Sequence, residues 1–80
     1  MLHVDAVRVL PDFRLWLRFN DGIEGIADLS GEMTGPVFAP LNDPEQFAAA
    51  RVDPELRTVA WPNGADIAPE YLHQLVLSSA

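Results

Sequence analysis

The sequence predicts an α+β fold: an antiparallel β-meander of three strands, a short helix, two further strands, and a C-terminal helix packed on the sheet. Three observations carry this. Phe13 to Asn20 alternates strictly between Phe13, Leu15, Leu17 and Phe19 on one face and Arg14, Trp16 and Arg18 on the other, the period of a half-buried strand. Turn-forming pairs flank that strand, Pro11-Asp12 before it and Asn20-Asp21-Gly22 after it. Near the end, Tyr71, Leu72, Leu75 and Val76 recur at the spacing of one helical face behind Pro69.

The first strand is expected over Val4 to Leu10, which is rich in β-branched residues and free of Gly and Pro. The third is expected over Ile23 to Leu29. Cross-strand chemistry suggests the register. A Pro-Asp turn would pair Val9 with Arg14, Val7 with Trp16 and Asp5 with Arg18. In the second hairpin, a three-residue loop with Gly22 in the left-handed region would pair Phe19 with Ile23, Arg18 with Glu24, Trp16 with Ile26 and Arg14 with Asp28. A two-residue loop would oppose Phe19 with Glu24 and Leu15 with Asp28, a poorer match. In the preferred register every row is charge-matched or apolar-matched. Arg18 then sits between Asp5 and Glu24, and Trp16 between Val7 and Ile26.

From Ser30 to Asn42 two Gly and two Pro predict a loop with at most a short turn of helix. Asp43-Pro44-Glu45 is a helix start: a capping Asp, Pro at the first helical position, and an acid at the positive end of the dipole. That helix is expected to end near Ala50. Short strands follow at Arg51–Asp53 and Arg57–Trp61, and the last helix is expected from Pro69 to Leu77. The tail Ser78-Ser79-Ala80 is expected to fray.

The 80 residues are read as one domain, 1–80. A chain of this size buries only about 60–65% of its unfolded surface. Its 49% hydrophobic and 21% charged residues are those of a folded domain, not a disordered tail. There is no cysteine, so thiolate metal sites and disulfides are excluded. Met1 to Asp5 lacks the basic and apolar segments of a signal peptide, and no run approaches the ~20 apolar residues of a membrane span. A cytoplasmic protein is the default expectation. The formal charge is −7, with five Arg and no Lys. Such a field repels phosphate backbones, so direct nucleic-acid binding is not expected. Acidity suits solubility first and a basic protein partner second.

The run Thr58-Val-Ala-Trp-Pro-Asn-Gly-Ala-Asp-Ile-Ala-Pro-Glu-Tyr-Leu72 resembles the C-terminal signature of the bacterial domain-of-unknown-function family 2442. Leu15-Trp-Leu-Arg-Phe-Asn-Asp-Gly22, Ala27-Asp-Leu29, Phe38, Leu41 and Phe47 are similar to the rest of that family. The resemblance implies a small α+β domain, mostly standing alone and sometimes joined to a helix-turn-helix module. It also implies a setting beside other small genes that suggests paired, toxin–antitoxin-like systems. It implies no activity, cofactor or catalytic residue. The chain ends after the shared helix, so no DNA-reading extension is expected.

Two groups of residues are candidates for function. Trp61, Asn63 and Asp66 could line a recognition surface or a small-ligand site. The architectural alternative makes Trp61 a core anchor, Asn63-Gly64 a tight turn needing positive φ, and Asp66 the cap of the last helix, because Ala68 is a poor one. Arg14, Trp16 and Arg18 could contact a partner, since Trp and Arg are frequent at interface hot spots. Their alternative is an ion-pair ladder with Asp5, Glu24 and Asp28. The Val7–Trp16–Ile26 strip is too apolar to stand bare, so either the C-terminal helix or a partner chain should cover it.

Catalytic and metal chemistry find little support. Glu70 and His73 share a helix face, but His3 is the only other histidine. Ser30, Ser78 and Ser79 sit in no nucleophile motif, Gly31 to Gly35 lacks a phosphate loop's spacing, and Asp53 and Glu55 flank Pro54 in a turn. The expectation is a protein-interaction or regulatory module that is not an enzyme, binding a protein partner or itself. A small-ligand site or minor enzyme at the Trp61–Asp66 turn is the alternative.

Overall fold

A computed structural model describes residues 1–78. Strands β1 (Val4–Leu10), β2 (Arg14–Phe19) and β3 (Glu24–Asp28) form an antiparallel sheet in that order. Short helices α1 (Gly35–Phe38) and α2 (Pro44–Phe47) follow, separated by a 3-10 turn at Ala39–Asn42. Strands β4 (Arg51–Asp53) and β5 (Thr58–Ala60) pair antiparallel, and helix α3 (Pro69–Ser78) ends the described chain. The α+β expectation holds. Between Ser30 and Asn42 the chain forms two helical turns where one at most was expected, and α2 stops at Phe47 rather than Ala50. Ser78, expected to fray, is the last residue of α3, and its hydroxyl donates to the Leu75 carbonyl. Ser79 and Ala80 lie outside the described residues.

The β2–β3 register is the expected one: Arg18 pairs with Glu24, Trp16 with Ile26 and Arg14 with Asp28. Its loop is Asn20-Asp21-Gly22, with Gly22 at φ 89°. Phe19 N donates to Ile23 O, Gly22 N to Phe19 O, and Ile23 N to the Asp21 carboxylate. The same device recurs at Pro62-Asn63-Gly64. Gly64 has φ 92°, Trp61 N donates to Ala65 O, Gly64 N to Trp61 O, and Ala65 N to Asn63 Oδ1.

The expected β1–β2 register is wrong by one residue. Val9 pairs with Leu15, Val7 with Leu17 and Arg8 with Trp16, while Asp5 is the extra residue of a bulge between Val4 and Ala6. Neither Val7 with Trp16 nor Asp5 with Arg18 forms. Hydrophobic burial explains the outcome, because side chains alternate faces along a strand. Val7 and Val9 must share the face of Leu15 and Leu17, and the bulge brings Val4 to that face as well. Phe13 leaves the strand: Asp12 (φ 64°) and Phe13 (φ 58°) are left-handed. For Phe13 that costs about 1–2 kcal/mol, offset by a ring contact with Phe47 at 5.3 Å and by its carbonyl accepting Leu29 N.

The inner sheet face carries the core. Leu15, Leu17, Phe19 and Ala27 are buried in one cluster with Leu72 and Val76 of α3 and with Leu29, Leu41, Phe47, Val59 and Trp61, among others. Tyr71, expected in the apolar stripe of α3, is 42% exposed. Its hydroxyl donates instead to the Glu32 carboxylate, which pushes the phenol pKa up. The buried Thr58 hydroxyl donates to Ile67 O at 2.6 Å.

Candidate functional site

The residues singled out by sequence fall at two separate places. Around the second turn, Trp61 is 1% exposed. Its indole Nε1 donates to Phe47 O at 3.0 Å, and its rings meet Phe38 and Phe47. Asn63 is equally committed: Oδ1 accepts Ala65 N within the turn, and Nδ2 donates to Val37 O at 2.9 Å, tying the turn to α1. Asp66 is exposed and bridges Ala60 through its backbone. The expected cap by its carboxylate is not among the hydrogen bonds of the described residues; α3 begins three residues beyond it, at Pro69, with Tyr71 N and Leu72 N turning back to Ala68 O. Beside this turn lies an open depression of about 350 Å³ bordered by Leu41, Asp43, Gln46, Trp61, Pro62 and Asn63.

The second place is the outer face of the three-stranded sheet. Strand alternation puts three rows there: Ala6, Arg18 and Glu24; Arg8, Trp16 and Ile26; Leu10, Arg14 and Asp28. Helix α3 does not cover it. A Cβ built on Gly25, which pairs with Leu17 on the inner face, would lie 2.7 Å from Val76 Cγ1, so the helix sits on the opposite side. Trp16 is half-buried and Ile26 is 40% exposed. The strip is therefore Arg8–Trp16–Ile26 and not Val7–Trp16–Ile26. The Arg8 guanidinium lies 5.7 Å from the Trp16 ring centroid, over the aromatic face. Sequence reasoning missed Arg8. The signal that could have found it was the need to turn Val7 and Val9 inward together, which turns Arg8 outward beside Trp16.

The expected ion-pair ladder also takes another form. Arg14 and Arg18 stand opposite Asp28 and Glu24 in the register, yet no carboxylate of the described residues forms a close ion pair with Arg8, Arg14 or Arg18. Arg14 Nε donates to Pro11 O. Asp28 accepts Ser30 N, which chiefly holds its pKa below the ordinary aspartate range; the Arg14 charge is a smaller influence. The face thus carries three guanidinium groups with hydrogen-bonding capacity to spare.

His73 faces no metal cluster; among the described residues no group of three or more His, Asp or Glu is disposed to hold an ion. Its Nε2 lies 2.8 Å from Asp21, and its ring packs edge-on against Phe19. Among the described residues no helix is long and apolar enough to cross a membrane.

The family model described as "Protein of unknown function (DUF2442)" matches residues 4–76. No curated protein matches the chain. Among solved structures, "Putative DNA Binding Protein NE0471" from Nitrosomonas europaea ATCC 19718 superimposes with a TM-score of 0.85 at 21% identity, over 99% of this chain and 51% of that one. The likeness is one of fold, and this chain spans about half the length of that protein.

Proposed function

The chain belongs to the DUF2442 family, and from that footing we propose that it is a protein-interaction or regulatory module whose contact surface is the outer face of β1–β3. The observation that carries this reading is Trp16, half-buried on a sheet face without a helix, flanked by Arg8, Arg14 and Arg18. Tryptophan and arginine are the residue types that dominate interface energetics. Three of the five arginines of an otherwise acidic chain gather on this one face.

A protein partner fits better than nucleic acid. Phosphate contacts supply most of nucleic-acid affinity, and here Glu24 and Asp28 share the face with the arginines while the chain carries −7 overall. The DNA binding in the neighbour's name belongs to a protein twice as long. For this chain it supports at most a regulatory role beside a separate DNA-binding element. The small-ligand alternative at the Trp61–Asp66 turn is weaker, because Trp61 Nε1 and both ends of the Asn63 amide are already spent on the fold.

Trp16→Ala tests the reading. It is expected to abolish association with the partner, followed by calorimetry or light scattering, while the circular dichroism spectrum and cooperative melt persist. Undiminished association in a folded variant would refute it.

A further inference from the structure

The outer face is complementary to itself in charge when β2 of one copy lies over β3 of the other. Reading across from β2 to β3, the three rows are Arg18 beside Glu24, Trp16 beside Ile26, and Arg14 beside Asp28. Strand β2 is therefore positive, aromatic, positive along this face, and β3 is negative, aliphatic, negative at the same heights. We infer that the partner is a second copy of this chain, packed face to face about a two-fold axis that runs along the strands between β2 and β3. The inference rests on the reading of this face as the contact surface.

That axis exchanges β2 and β3 without changing height. Arg18 then meets the second copy's Glu24, Trp16 its Ile26, and Arg14 its Asp28, each contact occurring twice as an isologous interface requires. Two alternatives fail on charge, and an axis between β1 and β2 leaves Glu24 and Asp28 without a basic partner. An axis over β2 sets Arg14 on Arg14 and Arg18 on Arg18. An axis across the strands sets Arg14 on Arg18 and Glu24 on Asp28. Neither Arg14 nor Arg18 forms a close ion pair within one copy; Arg14 Nε donates to Pro11 O, and the remaining guanidinium N–H groups of both can reach across. Packed sheets lie about 10 Å apart and turned by roughly 30°, a gap and skew that long arginine side chains span. Arg8, on β1, falls outside the overlap and closes the rim over Trp16.

Six side chains per copy make a small contact beside the ~800 Å² per partner of a standard interface. Two copies of charge −7 also repel one another. Exchange between monomer and dimer is therefore concentration-dependent and fast. This suits a module that trades its own copy for another partner on the same face.

Sedimentation equilibrium of the full chain, from micromolar to millimolar concentration, tests the inference. The wild-type chain is expected to dimerise with rising concentration. Arg14→Glu and Asp28→Lys, each alone, create two like-charge contacts per dimer and should weaken association by more than about tenfold. An equimolar mixture of those two variants restores attraction at both contacts and should recover the dimer, as should the double variant Arg14→Glu/Asp28→Lys. Circular dichroism checks that each variant is folded. A wild-type chain that stays monomeric at millimolar concentration overturns the inference. So does a mixture of folded single variants that fails to associate while the wild type does. If the chain is monomeric yet captures a different protein in a Trp16-dependent way, the second copy is refuted and the contact face stands; if Trp16→Ala also leaves capture unchanged, the face falls too.

Discussion

Gly25 is the seat of helix α3: a Cβ at this position would come within 2.7 Å of Val76 Cγ1. The glycine pairs with Leu17 on the inner face of the sheet, and Val76 is buried against it. Close approach here is what seats the ten-residue helix on β3, at the inner face of the sheet. It also keeps the helix off the face that holds Trp16.

Gly25→Ala should therefore destabilise the fold. A methyl group normally favours a strand over glycine by up to about 1 kcal/mol, but overpacking against a β-branched side chain costs about 1–3 kcal/mol. The net expectation is a loss of about 1–2 kcal/mol by urea denaturation. Trimming the obstacle should relieve part of it, so Gly25→Ala/Val76→Ala should lose about 1 kcal/mol less than the sum of the single losses. Strict additivity would mean that the two residues do not press on each other.

Acid should weaken the fold through three turn carboxylates. Asp21 accepts Ile23 N, Asp28 accepts Ser30 N, and Asp53 accepts Leu56 N and Glu55 N. These backbone donors are the chief reason each carboxyl is held below its ordinary pKa, with His73 adding to the effect at Asp21. A folded pKa lower than the unfolded one stabilises fully above the unfolded value, and the contribution is lost as pH falls through the folded value. Melting temperature should be flat near neutrality and decline below about pH 4. Asp53→Asn keeps the acceptor oxygen and removes the charge, so its decline should be shallower. An acid limb as steep as that of the wild type would deny Asp53 a share in it.

How much of this was legible in the residues depended on the range of the determining contact. The β2–β3 register could be read because Asn20-Asp21-Gly22 fixes it within a few residues, and Asp43 capped α2 as its sequence signals, accepting Glu45 N. The β1–β2 register could not be read by matching charges. It was decided by the inward demand of Val4, Val7 and Val9, met by a bulge at Asp5 and left-handed backbone at Asp12 and Phe13. Burial of several aliphatic side chains outweighs exposed charge pairs worth about 0–1 kcal/mol each. Contacts across long separations, such as His73 with Asp21 and Asn63 with Val37, left no local signal. The candidate face was half legible: Trp16, Arg14 and Arg18 follow from alternation, whereas Arg8 depended on the missed register.

Trp61 should matter more to stability than any exposed residue. It is buried among Phe38, Phe47 and the core, with its indole nitrogen bonded to Phe47 O. Trp61→Ala should cost about 3–5 kcal/mol, enough to unfold much of a chain this small at room temperature. Trp61→Phe retains most of the packing but removes one of the two donors to Phe47 O, leaving Ala50 N, at about 0.5–1.5 kcal/mol. A cooperative melt of Trp61→Ala at the wild-type temperature would show that the aromatic cluster does not anchor the fold.

Asn63 and Asp66 lie three residues apart in the same conspicuous run and should behave oppositely. Asn63 makes two hydrogen bonds that join the Pro62-Asn63-Gly64 turn to itself and to Val37, so Asn63→Ala should cost about 1–3 kcal/mol. Asn63→Asp keeps the acceptor for Ala65 N and loses the donor to Val37 O, and should fall between the two. Asp66 is exposed, and its side chain forms no cap hydrogen bond among the described residues, so Asp66→Ala should stay within about 0.5 kcal/mol of wild type. Chemical denaturation of the three variants ranks them. If Asn63→Ala proves neutral while Asp66→Ala is costly, the turn is held by something other than its amide. If both are neutral, the conspicuous polar residues of this run are spare to the fold, and a binding role for them regains its place.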